Sequence, residues 1–533
     1  MTHLRGMLLL VAGLLLGSCG GGGGTGGAGG RGQTTPPTTT PPATPPAIAY
    51  TAGVYPASTT FAAQCAAPRS GVDPTGRAYP DTAGSALAEK HFLRSWTNEL
   101  YLWFNEVTDR DPASVADVKS YFGLLKTTAV TPSGKDKDPF HFTADSAAYN
   151  QQSQSGTVVG YGISLVVISR VPPRRVVVEY VQAGTQAATL GIGRGAEILT
   201  IDDVDIVNVN TQAGVDTINT ALFSPASGSS HQLGIRDRTG TARNLSLTAG
   251  PIPFSAVPLV NVLATTAGNL GYLLFNDHTR PAEQELIAAI NQLKAGNVQD
   301  LVLDLRYNGG GYLAIASELA YMIAGPTRTT GRTFERQQFN SKYPATNPVT
   351  GNALDPLPFA STTVFATATS SLPTLNLGRV YVLTSSDTCS ASESIINSLR
   401  GIGVDVYQIG GATCGKPYGF YPQDNCGTTY FSIQFKGVNA LGFGDYADGF
   451  SATRGAADAQ ANLPGCAASE DYAHDLGDPL EERLRVAVAY RQSGNTLCTG
   501  TAPLLQAEGP ALPGGIELRA PEEPWRHNRI LGR

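Results

Sequence analysis

Between Asp300 and Ile323 the chain carries a pattern that few folds can accept. Asp300-Leu301-Val302-Leu303-Asp304-Leu305 reads as a buried strand, Arg306-Tyr307-Asn308-Gly309-Gly310-Gly311 as a turn, and Leu313 to Ile323 as a helix. A strand that feeds a helix through a glycine turn is half of a βαβ crossover, the unit from which parallel sheets covered on both faces are built. The pattern recurs on either side. Leu270 to Phe275 is a strand followed by a helix from Pro281 to Leu293, with Pro and two Glu in its first turn. Arg379 to Thr384 is a strand followed by a helix with Ile395, Ile396 and Leu399 on one face, stopped by Gly401 and Gly403, and Val404 to Ile409 is a further strand.

The amino terminus is of a different kind. Arg5 precedes an apolar run, Met7 to Leu16, that is far short of the ~20 residues a spanning helix needs, and Leu16-Gly17-Ser18-Cys19 follows. That ending resembles the lipobox of bacterial lipoproteins and implies acylation of Cys19, with residues 1–18 removed; an ordinary secretory signal with a chance Cys is the alternative. Either reading exports the protein, and Gly20, where an Asp would retain the chain at the inner membrane, points to the outer membrane, facing the periplasm or the cell surface. Residues 19–48, rich in Gly, Thr and Pro, offer nothing to bury and form a tether. The 37 Lys+Arg against 43 Asp+Glu give a net charge of −6, with no basic excess for a phosphate backbone, so nucleic acid is excluded as a partner. Charged residues are only 15%, which argues that the bulk of the 533 residues folds. Six cysteines follow Cys19, at 65, 389, 414, 426, 466 and 498, and an even number in an oxidising compartment allows three disulfides. No CxxC pair and no HExxH occur, which predicts no metal and no cofactor.

Residues 49–150 form a helical N-terminal region. Leu87, Phe92, Leu93, Trp96, Leu100, Trp103 and Phe104 recur at helical intervals, as do Val118, Tyr121, Phe122 and Leu125, and their aromatics are expected in the core. Residues 151–250 turn to strand-like text: Val158 to Val167 reads as one Gly-punctuated strand and Arg175 to Val181 as another. With Gly191-Ile192, Gly195 to Ile201 and Asp202 to Ile206, this stretch resembles a PDZ domain, a small β-sandwich-like fold. The resemblance assigns Tyr161, Gly162 and Ile163 to the loop whose backbone N–H groups receive a peptide's terminal carboxylate. A PDZ acting only as a regulatory lid is the alternative.

Residues 251–500 carry the chemistry. Three glycines at a strand-to-helix turn expose N–H groups suited to a phosphate or an oxyanion, and Ser385 to Glu393 places serines at a second such turn. Gly410 to Lys416 satisfies GxxxxGK, but Pro417 stands where a nucleotide loop needs a hydroxyl for Mg²⁺, and an exported chain meets no ATP. Asp304-Leu305-Arg306-Tyr307-Asn308-Gly309-Gly310-Gly311, Ser390-Ala391-Ser392-Glu393 and Gly415-Lys416 together resemble, in order, the signature blocks of the carboxyl-terminal processing peptidases, Ser–Lys proteases of the S41 type with an internal PDZ domain. The resemblance implies an α/β, crotonase-like protease core, Ser390 as nucleophile, Lys416 as general base, and an oxyanion hole from the N–H groups of Ala391 and Gly310. A lysine serves as a base only when its surroundings leave it neutral. Ser–Lys pairs are a variant of the triad logic.

The family usually has a Gln four residues after the Lys; position 420 here is Phe, and Gln423 would substitute only in a bulged loop, so the third catalytic member stays open. Cys389 and Cys414 flank the two catalytic positions and could pair, as could Cys414 and Cys426. Cys389 as nucleophile is disfavoured in an oxidising compartment. Phe431 to Asp448 reads as strands around the cleft, His474, Asp475 and Asp478 as a loop before a helix from Leu480 to Tyr490, and residues 501–533 as a tail, disordered or docked. The expectation is a multidomain α/β serine endopeptidase acting on protein or peptide substrates, anchored to the bacterial envelope by lipid, with an activator protein left open. A catalytically inactive peptide- or ligand-binding lipoprotein of the same fold is the alternative.

Overall fold

Parallel strands form the spine of the larger body. In the computed structural model they run in the order Leu270–Leu274, Asp300–Asp304, Arg379–Thr384, Asp405–Gly410 and Gly465–Cys466, with Leu259–Leu263 antiparallel at one edge. The structure describes residues 49–73, 76–452, 460–500 and 516–518 and the backbone of 528–530; the leader, the tether and Cys19 lie outside the described residues. Because strand side chains alternate, each strand serves two cores. Leu301, Leu303, Val380 and Val382 face one side, where Leu286, Ile290, Leu319, Ile323, Ile395 and Leu399 of three helices pack. Val302, Tyr381 and Leu383 face the other, covered by Leu484 and Ala487 of the helix Glu482–Gln492.

Register decides where the chemistry sits. Asp304 is level with Leu274 and Leu383, and Thr384 with Gly410, so the carboxyl ends of four strands stand side by side. The glycine turn, the Ser390 turn and the Lys416 loop all leave from that one edge, where open α/β sheets bind ligands.

The second sheet is antiparallel throughout, in the order Ala242–Thr248, Ser230–Arg236, Glu197–Ile201, Arg175–Val181 and Ile163–Ser169. Its core holds Val176, Val178, Ile198, Leu233 and Ile235 with Val215 and Ile218 of a covering helix. The stretch 158–167, expected as one strand, is two. Thr157–Gly160 pairs with Gly250–Pro253, the chain turns at Tyr161-Gly162, and only then does Ile163–Ser169 join the sheet. Gly162 has φ +77°, and a Cβ there would lie 2.5 Å from Thr185 Cγ2, so the turn requires glycine.

In the N-terminal region the helix Ala86–Leu100, capped by Ser85, buries Phe92, Leu93 and Trp96, and Val118–Gly123 buries Tyr121 and Phe122. The region is not purely helical: Phe142–Asp145 is a strand paired with Thr428–Phe431, and the Phe142 and Phe431 rings stack at 4.4 Å. Three disulfides, Cys65–Cys426, Cys389–Cys414 and Cys466–Cys498, join the six cysteines, so the drawable Cys414–Cys426 bridge does not form. Among the described residues no helix is long and apolar enough to cross a membrane.

Candidate active site

Ser390 sits between the strand Arg379–Thr384 and the helix Ala391–Gly401, as its N-cap. Its backbone has φ +61° and ψ −110°, a conformation that costs a non-glycine residue on the order of 1–3 kcal/mol and persists only where the surroundings impose it. Those surroundings are visible. Thr388 Oγ1 donates to the Leu305 carbonyl at 2.8 Å, while the Cys389 N–H and Ser392 Oγ both donate to the Asn308 carbonyl, at 3.1 and 3.0 Å. The serine turn is therefore tied to the glycine turn by backbone acceptors.

Glu393 joins the serine turn to the lysine loop. It is fully buried, and its two oxygens take four donors: Ser390 N–H at 2.9 Å and Lys416 N–H at 2.8 Å on Oε2, Gly415 N–H at 2.9 Å and Thr413 Oγ1 at 2.5 Å on Oε1. One carboxylate oxygen thus holds the backbone of both Ser390 and Lys416. Burial pushes the Glu393 carboxyl above the usual range, and the bonds from Thr413, Lys416, Ser390 and Gly415 pull the other way. The Cys389–Cys414 disulfide, with Cα atoms 5.2 Å apart, ties the same two segments covalently. Glu393 was legible as the fourth residue of a Ser-x-x-Glu capping box, which sequence reasoning treated only as part of a motif.

Lys416 is fully buried as well. Its Nζ lies 4.4 Å from the Phe420 ring centroid and 4.8 Å from that of Phe140. Phe420, which stands where a Gln was expected, thus becomes a wall of the lysine pocket. Phe140 comes from the N-terminal region, and no local signal pointed to it. Gly415 has φ +90°, and a Cβ there would stand 2.2 Å from the Ala447 carbonyl oxygen. No helix follows Lys416; the strand Tyr418–Gly419 does, so the loop lacks the geometry that GxxxxGK requires of a phosphate site.

The glycine turn differs from expectation. Gly310–Tyr312 is a short strand, and Tyr312, not a glycine, caps the following helix. The Gly310 N–H donates to Asn308 Oδ1 at 3.0 Å, the Asn308 amide donates to the Phe275 carbonyl at 2.9 Å, and His278 Nδ1 lies 2.9 Å from the same Oδ1. Since Oδ1 can only accept, His278 is a donor through Nδ1. Burial pushes this histidine down to about 3, so it is neutral at physiological pH. The Ala391 N–H, by contrast, is one of the first-turn donors that intrahelical bonding leaves over. Beneath the turn, Arg306 is buried among Asp304, Glu470 and Glu481, with contacts of 2.9, 2.9 and 2.6 Å, an arrangement that offsets the cost of burying its charge.

The remaining sequence-derived positions are apart from this cluster. The Tyr161 side chain is buried in the core of the second sheet, its hydroxyl donating to the Ala221 carbonyl at 2.5 Å, and Gly162 and Ile163 form the turn and the start of an edge strand. Gln423 lies in the strand Gln423–Asn425, its amide donating to the Asp424 carbonyl at 2.8 Å. His474 Nδ1 is 2.7 Å from Asp471 Oδ2, and Asp475 pairs with Arg238, which makes that loop a structural one. Residues 432–434, expected in a strand, link Thr428–Phe431 to Phe435–Val438.

Residues 269–419 match peptidase family S41. A carboxyl-terminal-processing protease from Picosynechococcus is 29% identical over 170 residues, 32% of this chain and 39% of that protein. Carboxyl-terminal-processing peptidase 3, chloroplastic, from Arabidopsis thaliana is 26% identical over 208 residues, 37% of this chain and 38% of that protein. The chain thus spans about two fifths of the length of the curated relatives it matches. A crystal structure from Bacteroides fragilis, assigned to the S41 proteases, superposes on 79% of this chain and 99% of its own with a TM-score of 0.54 at 21% identity, a likeness of fold.

Proposed function

We propose, for a chain that carries a peptidase family S41 domain and is related to the carboxyl-terminal processing peptidases, that it is a serine endopeptidase using Ser390 as nucleophile and Lys416 as general base. The observation that carries the reading is the Glu393 carboxylate, one oxygen of which binds the backbone N–H of both residues. Burial disfavours an ammonium, which is the condition a general-base lysine needs. Neutral Lys416 takes the Ser390 hydroxyl proton as Oγ attacks a peptide carbonyl, then delivers it to the leaving amine. The acyl-enzyme is hydrolysed by water activated by the same amine. The developing oxyanion is received by the N–H groups of Ala391 and Gly310, the latter exchanging its Asn308 acceptor for the substrate oxygen.

The antiparallel body of residues 151–250 is read as a PDZ domain that recruits unfolded or C-terminal segments at Tyr161-Gly162-Ile163, and residues 251–500 as a crotonase-like catalytic domain. Residues 1–18 are read as a lipoprotein signal and 19–48 as a tether from lipidated Cys19, which holds the enzyme at the bacterial envelope. Residues 49–533 are compared as wild type, Ser390→Ala and Lys416→Ala on an unstructured protein and on a peptide with an apolar C-terminus. Both variants are expected to stay folded and lose about 10³-fold or more in rate. A Ser390→Ala variant that cuts at the wild-type rate overturns the assignment.

A further inference from the structure

The C-terminal tail returns to the candidate site. Asn528–Ile530 form a strand that pairs in parallel with Gly310–Tyr312, Asn528 level with Gly310 and Ile530 with Tyr312. The same three residues lie against the helix that begins at Ala391 and against Tyr418–Gly419, just past Lys416. One short stretch of tail therefore touches each of the three elements that carry or adjoin the residues read as oxyanion hole, nucleophile and base.

Upstream, the tail is held on the second sheet. Leu518 is fully buried in that sheet's core, and its N–H donates to the Arg170 carbonyl at 2.9 Å. The Ile516 N–H donates to Asn210 Oδ1 at 2.8 Å, and Glu517 lies 3.3 Å from Arg170. Ten residues reach at most about 35 Å, so Leu518 keeps the 528–530 segment at a high local concentration near the turn.

Pairing through main-chain groups accepts any extended peptide, including one from the same chain. We infer that the tail carries a built-in occupant of the cleft: Ile516–Leu518 dock it on the second sheet, and Asn528–Ile530 take a strand position open to a substrate. The inference rests on the Ser–Lys reading for the identity of the cleft. Ser390 and Lys416 are both buried, and on this inference an external substrate competes with the tail for the strand edge beside them. If the tail is seated nine-tenths of the time, the competent fraction is about one tenth and the apparent KM is raised about tenfold.

The test compares residues 49–533 with 49–518, which keeps the anchor and removes the strand. On a quenched fluorescent peptide the shorter chain is expected to show a KM lower by about tenfold, with kcat within about twofold. A labelled peptide of residues 524–533 is titrated into the Ser390→Ala form of both chains and followed by anisotropy; it is expected to bind the shorter and not the longer. Loss of the tail from the wild type, but not from Ser390→Ala, in the intact mass also supports the seating, carried through to cleavage. Equal KM values with no binding of the tail peptide overturn the inference and leave the protease reading standing. Tail-peptide binding to the shorter chain alone, with no cleavage by either, keeps the occupant and removes the protease.

Discussion

Replacing Glu393 by Gln keeps the shape of the side chain and removes its second acceptor oxygen. Each oxygen takes two donors; with the amide nitrogen at Oε2 the Ser390 and Lys416 N–H groups both face another donor, and at Oε1 the Gly415 N–H does, the Thr413 hydroxyl being able to turn and accept. A hydrogen bond to a charged group contributes about 1.5–3 kcal/mol, which gives a gross loss of roughly 1.5–6 kcal/mol for one or two. Burial works against the carboxylate and offsets part of that loss, so about 3 kcal/mol is carried forward as an order of magnitude. If the Ser390 and Lys416 backbones shift as a result, about 3 kcal/mol corresponds to roughly a 100-fold fall in kcat, with KM little changed because Glu393 is placed to touch no substrate.

The assay is initial rates on a fluorogenic peptide between pH 5 and 9, with a denaturation midpoint for each protein. Both proteins should lose activity on acidification, since a general-base lysine must be neutral, so the two are compared at each protein's pH of maximal rate. Thr413→Ser, which keeps the donor to Glu393 and the acceptor of the Phe450 N–H, should stay within several-fold of wild type, and it guards against reading any change at this loop as loss of the carboxylate. A folded Glu393→Gln with kcat within threefold of wild type would refute the claim that this carboxylate positions the pair.

Two further outcomes can be checked. Cys389 and Cys414 are 25 residues apart, and on chain entropy their bond contributes about 3.5 kcal/mol, so C389A/C414A should lower the urea midpoint and reduce kcat; an unchanged midpoint would mean the loop is ordered without the bond. Burial, then the hydrogen bond and charge of Glu283, push Glu318 up to about 9. The protonated Glu318 therefore stabilises the fold fully below about pH 4.5, and that contribution is lost as pH rises toward 9. Glu318→Gln should show a flatter stability curve across that range and exceed the wild type by several kcal/mol near pH 9, measured by denaturant titration at each pH. Parallel curves for the two proteins would exclude this origin.

The sequence by itself determined the crossover units and the loops that end them. Strand alternation, helical spacing, glycine turns and the Ser-x-x-Glu box are properties of a few neighbouring residues, and Asp300–Asp304, Arg379–Thr384 and Ala391–Gly401 formed within a residue or two of expectation. By alternation Tyr161-Gly162 reads as strand interior, and only the resemblance placed a loop there, because a positive φ is invisible to periodicity. Only the tertiary structure decided which distant segments meet. It brought Phe140 against Lys416, paired Phe142–Asp145 with Thr428–Phe431, set four donors on Glu393 and laid Asn528–Ile530 along Gly310–Tyr312. The cysteines give the physical reason. Closing the shorter loop from Cys414 to Cys426 rather than to Cys389 would differ by less than about 1 kcal/mol in chain entropy. Separation along the chain is too weak a term to choose a partner, and the packing of the folded surfaces makes the choice.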